Sequence, residues 1–393
     1  QLVASDPIDI AASSEYPAIL FDAIQVNTGL LLFTKNQQFM LTTDSDVFSP
    51  TTAKINALST YNFNFATNPI SLGTTVGFLD NAGKFSRFFE MAQVQREGEP
   101  EVIEQSAVVS RLFEKDLKLI SNSRENSVIF FSEEGTSTLY GYRYFDNIRE
   151  RKLAAWFRWT LTGTIQYHCM QDDSLFVVVR NNSKDQLLKY SIKMDAETLS
   201  IAENRVHLDH LMKIPKLTSG NPTVTYNSTT NKSTFAKPTG LESSNQLVAY
   251  DNSNESSGTQ NLGRYGKITV NGSNLELDGN WTGEEFLIGY QYTMQVDLPT
   301  IYYVTREGEN FRADTRSSLV LHRAKFGFGP IGLYETTLSR TGRVDYTELH
   351  ELTGADRYTA NNASTLEDNL LREVPIYDRN INVGLTVKST HPA

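Results

Sequence analysis

Residues 126–193 read NSVIFFS, the turn EEGT, STLYGYRYF, a polar break DNIRE, RKLAAWFRW, then GTIQYH, a second turn QDDS, and LFVVVR. The apolar runs are short, rich in β-branched and aromatic residues, and punctuated by Gly, Asp, Asn and Ser. That pattern predicts consecutive antiparallel strands. A hairpin of apolar run, polar turn and aromatic run starts at Ser127 and again at Ser174. Two earlier copies begin at Gly29 (GLLLFT, KN, QQFML) and Thr74 (TTVGFLD, NAG, KFSRFFEM), giving intervals of 45, 53 and 47 residues. A recurrence near 40–50 residues with about four strands per unit predicts β-propeller blades.

Working outward, a chain of 393 residues has length for two or three domains. With 21 Phe and 18 Tyr, the composition describes a folded, strand-rich protein rather than a disordered or fibrous one. No apolar run approaches a membrane-spanning helix. The first residues, QLVASDPIDIAASS, lack a basic leader, so the sequence reads as a mature or internal piece. Cys169 is the single cysteine, which excludes an internal disulfide framework and fits assembly in a reducing cytoplasm. The net charge of −10 argues against wrapping nucleic acid, because such affinity comes from cations neutralising phosphates.

Three regions follow from the pattern: strand-built blades over 1–204, a polar stretch over 205–285, and a second antiparallel, sandwich-like β-domain over 286–393. In the first, Leu30, Leu31, Leu32 and Phe33 populate both faces of a buried strand, while Phe39 and Leu41 share one face of its partner. Residues 101–119 break the pattern. Ile103, Ala107, Val108 and Leu112 recur at helical spacing, predicting one short amphipathic helix near 101–115 that packs between blades. From Thr218 to Asn261, 23 of 44 residues are Ser, Thr or Asn, which predicts a surface-extended insertion with weak strands at LVAY and KITV and no tight core of its own. Sequons at Asn227, Asn231, Asn254, Asn271 and Asn280 arise by chance in such a composition. NNASTLEDNLL (361–371) is a loop or short helix.

Candidate chemistry is sparse. Tyr140, Tyr142 and Tyr144 line one face of a strand, with Phe157 and Trp159 on one face of the next, opposite Trp156 and Arg158. Such rings stack on bases or sugars, and they equally serve blade-to-blade packing. GFGPIG (327–332) fits G-x-G-x-x-G, but strand-like sequence follows and Pro330 removes an amide, so a β-turn is expected. His207, Asp209 and His210 have no third ligand at motif spacing, and a helix surface is expected there. Glu133/Glu134, Asp172/Asp173 and Glu284/Glu285 are adjacent acids in or beside turns, where solvated carboxylates are normal. His168 and Cys169 are strand neighbours that point to opposite faces and form no dyad. No catalytic, cofactor-binding or metal residues are assigned.

The ordered series of segments resembles the tail tubular protein B (tail nozzle) family of short-tailed bacteriophages. It comprises DPIDIAASS (6–14), GLLLFTKNQQFMLTTDSDVFSPTTAKI (29–55), GTTVGFLD (73–80), GYQYTMQVDLPTIYYV (289–304), SLVLHRAKFGFGPIGLYETTLSRTGR (318–343) and VPIYDRNINVGLTVKSTHPA (374–393). The likeness covers about 1–92, 125–193 and 286–393 and is absent from about 205–285. It implies a longer protein, with further blades upstream of residue 1. It also implies a non-enzymatic virion component: a hexameric ring below an adaptor ring, with tail fibres attached near its rim, that continues the channel for genome exit. DNA then passes through the lumen without specific binding, the host surface is a further contact, and the polar stretch becomes a candidate tip or gate. A carbohydrate-binding or glycan-cleaving propeller is the rival reading, drawing on the tyrosines and paired acids.

Overall fold

A computed structural model of the chain describes Pro7, Ser14 and residues 17–26, 29–43, 47–92, 101–113, 116–146, 151–192, 206–214, 224–251, 265–282, 285–307, 310–328, 333–350 and 370–390. The chain is all-β: the helical elements among these residues are two 3₁₀ turns. It divides into two units, Gln1–Asp195 and Ala196–Ala393.

The first unit is a series of antiparallel meanders laid down in chain order. Strands β1 (Leu20–Val26), β2 (Gly29–Thr34), β3 (Gln38–Thr43) and β4 (Ala53–Ser59) form the first. Strands β5 (Ile70–Ser71), β6 (Thr75–Asp80), β7 (Arg87–Ala92) and β8 (Glu101–Glu104) form the second, and β9 (Leu119–Ser123), β10 (Val128–Ser132), β11 (Thr138–Asp146) and β12 (Arg151–Thr160) the third. The fourth has three strands, β13 (Thr164–Gln171), β14 (Ser174–Asn181) and β15 (Lys184–Ser191).

Period-two alternation decides how these sheets stack. On β10, Ile129 and Phe131 enter a core with Leu79, Phe88 and Tyr142 of the second and third meanders. Val128 and Phe130, on the opposite face, enter a core with Ile165, Leu175, Val177 and Val179 of the fourth. Phe33 of the first meander and Phe78 and Phe89 of the second meet in a third core. Each interior sheet is thus apolar on both faces, which explains the continuous run VIFF. The first strands of successive meanders also touch. Asn122 Nδ2 on β9 donates to Ser71 O on β5 (2.9 Å), and Ser121 Oγ on β9 lies 2.7 Å from His168 Nδ1 on β13.

The helix expected near 101–115 is not formed. Glu101–Glu104 is instead β8, paired with β7 through Met91↔Val102 and Glu90↔Ile103, and it is followed by a single 3₁₀ turn at Ala107–Val109. Val102 and Ile103 are β-branched, and completing a four-stranded sheet satisfies their backbone groups against β7. Tertiary pairing therefore overrides the helical spacing. Leu112 and Phe113 then turn into the core shared by the second and third meanders.

One close approach fixes a residue type. The Phe157 ring lies over Gly141, where an added Cβ would sit 2.1 Å from Phe157 Cζ. Gly141→Ala is expected to displace that ring and cost about 1–3 kcal/mol, read as a lower urea midpoint with an unchanged m-value.

In the second unit, residues 209–290 form two four-stranded sheets. One is β16 (Asp209–Ile214), β23 (Phe286–Tyr290), β19 (Leu247–Asp251) and β20 (Tyr265–Lys267). The other is β17 (Thr225–Asn227), β18 (Lys232–Ala236), β22 (Asn274–Asp278) and β21 (Thr269–Asn271). They share a core of Ile214, Phe235, Leu247, Leu275, Leu277, Trp281, Phe286 and Tyr290. The surface-extended, coreless insertion expected here is therefore corrected. Among the described residues, most of its Ser, Thr and Asn residues fill turns and solvent-facing positions, and the sparse apolar residues alternate inward. Buried Ser233 is satisfied by donating to Gly279 O (2.7 Å) and accepting from Trp281 N (2.9 Å).

The last part of the unit is a sheet of β24 (Met294–Leu298), β31 (Val383–Ser389), β28 (Tyr334–Arg340) and β29 (Tyr346–His350). A ribbon of β27 (Val320–Phe328) and β30 (Leu370–Arg379) packs on it through Leu338, Val374, Ile376 and Leu385, and a hairpin joins β25 (Tyr303–Glu307) to β26 (Asn310–Asp314). Of NNASTLEDNLL, 361–369 lie outside the described residues, and Leu370 opens β30.

Candidate functional site and family

The tyrosine face is a packing face. Tyr140, Tyr142 and Tyr144 are at most 5% exposed. Tyr142 lies 4.3 Å from Trp156, and Phe113 meets both Tyr140 and Trp156 edge-on. Phe157 and Trp159 turn to the other side, against Phe130. None of the three tyrosines is presented to a ligand.

Beside them sits a polar cluster that the sequence alone did not single out. Arg151, the first residue of β12, grips Glu90 of β7 with both terminal nitrogens (3.0 Å for Nη2–Oε1) and Asp146 of β11 through Nε and Nη2 (2.6 and 2.9 Å). Its guanidinium also covers the Tyr144 ring at 5.0 Å, and Tyr142 Oη accepts from it at 3.3 Å. Burial opposes the Arg151 charge, but the hydrogen bonds to Asp146 and Glu90 win and raise its pKa above the ordinary value. Burial, reinforced by the Glu90 carboxylate, pushes Tyr144 up to about 12. Both tyrosines stay neutral at physiological pH, and the cluster is an ionic clasp between second and third meanders. The one legible signal was a carboxylate inside the otherwise aromatic run RFFEM.

His168 points inward beneath β9, whereas half-buried Cys169 faces the other side of β13. Burial lowers the His168 pKa to about 4. An unfolded histidine titrates near 6.5, so between about pH 6.5 and 4 the unfolded chain binds the extra proton. Stability is expected to fall with acidity across that window, by about 1.4 kcal/mol per unit. His168→Gln should flatten this dependence in urea melts taken at pH 4.5, 5.5 and 7.

The other candidates disperse. Glu133 and Glu134 flank a turn, Asp173 accepts from Asn126 Nδ2 (2.9 Å), and Glu285 pairs with Lys213 (2.6 Å); Glu284 lies outside the described residues. Asp209 and His210 belong to strand β16, not to the expected helix surface. His207 is exposed, whereas His210 is buried edge-on to Tyr290. No group of three metal-ligating side chains occurs among the described residues. Gly327 and Phe328 end β27, residues 329–332 of GFGPIG lie outside the described residues, and the next element is strand β28 rather than a helix.

The model of the bacteriophage nozzle protein family matches residues 1–393. The chain belongs to this family. The nozzle-family chain is also 26% identical over 282 residues to the tail tubular protein gp12 of Escherichia phage T7, an alignment covering 70% of this chain and 32% of that protein. It thus spans about a third of the length of that relative. Among solved structures, it is similar to a luciferin-regenerating enzyme (12% identity, TM-score 0.30, 68% of this chain and 81% of the other). It is also similar to PorZ of Porphyromonas gingivalis (11%, TM-score 0.26, 57% and 27%). At these scores neither bears on function. As a nozzle-family member, the chain is a structural, non-enzymatic component of a phage virion tail.

Proposed function

We propose that this nozzle-family chain is one subunit of a hexameric ring whose lumen continues the path by which the genome leaves the capsid. In this reading the ring meets an adaptor ring on one side and carries tail fibres near its rim. Residues 205–285 stand near the narrow end, as a tip or gate. The observation that carries the reading is the stacking of consecutive meanders, each apolar on the faces turned to its neighbours, with their first strands joined side by side. This is how propeller wedges meet, and a wheel of them needs further blades from the longer protein. Charge supports a conduit. A duplex carries one negative charge per about 1.7 Å of axis, and six chains of net charge −10 total −60, which disfavours retention of DNA. The tyrosines on which a glycan-binding reading drew are buried.

Electron microscopy of the assembled particle tests this: sixfold symmetry around a channel wide enough for a duplex is expected. A solid particle, or residues 205–285 on the outer wall beside the fibres, would contradict the ring or the tip placement respectively. In solution, duplex DNA is expected not to be retained at 50 mM salt. Tight binding with a steep salt dependence would contradict the proposed passage without specific binding.

A further inference from the structure

The outer face of the β27–β30 ribbon combines three features, with the Tyr377 ring edge-on to His322 at 5.7 Å. Tyr377 is 69% exposed and holds a left-handed backbone (φ 49°), unfavourable for a residue with a Cβ. It sits where the register slips between Leu321 and Arg323, a bulge that turns the ring outward. Around it, Val320 and Ile381 are 50% and 64% exposed. Asn380 binds this neighbourhood together, its side chain donating to Ile301 O and its backbone amide to Leu319 O.

The face is also cationic. Glu373 neutralises Arg323 and Lys325 in part, at 2.8 and 2.6 Å, while Arg379, directly opposite Val320, has no ion pair among the described residues. Counting those four side chains, the face carries +2 in a chain of net charge −10. An exposed aromatic held in a strained conformation, rimmed by apolar and basic side chains, describes a contact surface rather than a solvated one.

We infer that this face, centred on Tyr377 and Arg379, docks an acidic surface of a second copy of the chain. The copy is favoured as occupant by charge: a basic face on an acidic chain is complementary to its own siblings, and a face that meets a different face of its neighbour builds a ring. The inference rests on the ring reading and names its contact.

Tyr377→Gly removes the ring while relieving the left-handed backbone, so folding is preserved. Sedimentation equilibrium of the intact chain, with thermal melts alongside, is expected to show an unchanged or higher midpoint. The dissociation constant for self-association should rise at least tenfold. Arg379→Glu should weaken association similarly, and wild-type association should weaken between 0.1 and 0.5 M NaCl. If the wild type assembles and either folded variant assembles with the same affinity, this contact is overturned and the ring reading stands. A wild type that stays monomeric overturns both.

Discussion

Arg151→Ala is expected to destabilise the first unit by about 3–5 kcal/mol, the loss typical when one partner of a buried ion pair is removed. The Glu90 side chain is 5% exposed and takes its charged contacts from Arg151, with Thr75 Oγ1 and Gln105 Nε2 as further donors. Without the guanidinium, a carboxylate stays desolvated against Tyr142 and Tyr144, and Asp146 loses its bidentate partner. The cost is in leaving the charge behind rather than in the pair's net value, so replacing both members is expected to hurt less. Glu90→Leu/Arg151→Leu should recover part of the loss, giving a coupling term of the opposite sign to the single-mutant effects. Fluorescence of Trp156, 4.3 Å from Tyr142, reports the melt from within the affected layer. Arg151→Ala with an unchanged midpoint would show that the clasp between second and third meanders contributes nothing.

Trp281→Ala carries a comparable expectation, about 3–5 kcal/mol, confined to the second unit. The indole is 1% exposed, meets Phe286 edge-on at 5.2 Å, and donates from Nε1 to Asp278 O at 2.9 Å. It is the largest side chain in a small core, so truncation leaves a cavity that two polar-surfaced sheets cannot collapse to fill. Hydrogen exchange should show β18, β22 and β23 losing protection while β10 and β14 keep theirs. Equal protection in wild type and variant would mean that residues 209–290 are not organised around this core.

How far the sequence revealed this depended on what each signal encodes. The run VIFF announced a buried strand because both of its faces are covered, LYGYRYF and LFVVV because at least one face of each is, and the breaks EEGT and QDDS fell at turns. The spacing of Ile103, Ala107, Val108 and Leu112 misled because four apolar positions cannot distinguish a helical turn from a strand followed by a 3₁₀ turn. Pairing with β7 decides it. Residues 218–261 misled for a different reason: their core is shared with Leu275, Leu277, Trp281 and Phe286, which lie beyond the window whose composition was judged. Arg151 and Tyr377 were invisible because their roles come from partners far along the chain, Glu90 for one and the bulge opposite His322 for the other. Function was legible through the family to which the ordered segments belong.

The central claim is that these stacked meanders belong to a subunit that closes into a ring with its copies. Native mass spectrometry of the purified intact chain addresses it most directly. Six copies of the protein, to which residues 1–393 contribute 44.2 kDa each and about 265 kDa together, are the species the account predicts. A single species at the mass of one copy across the accessible concentration range would contradict it.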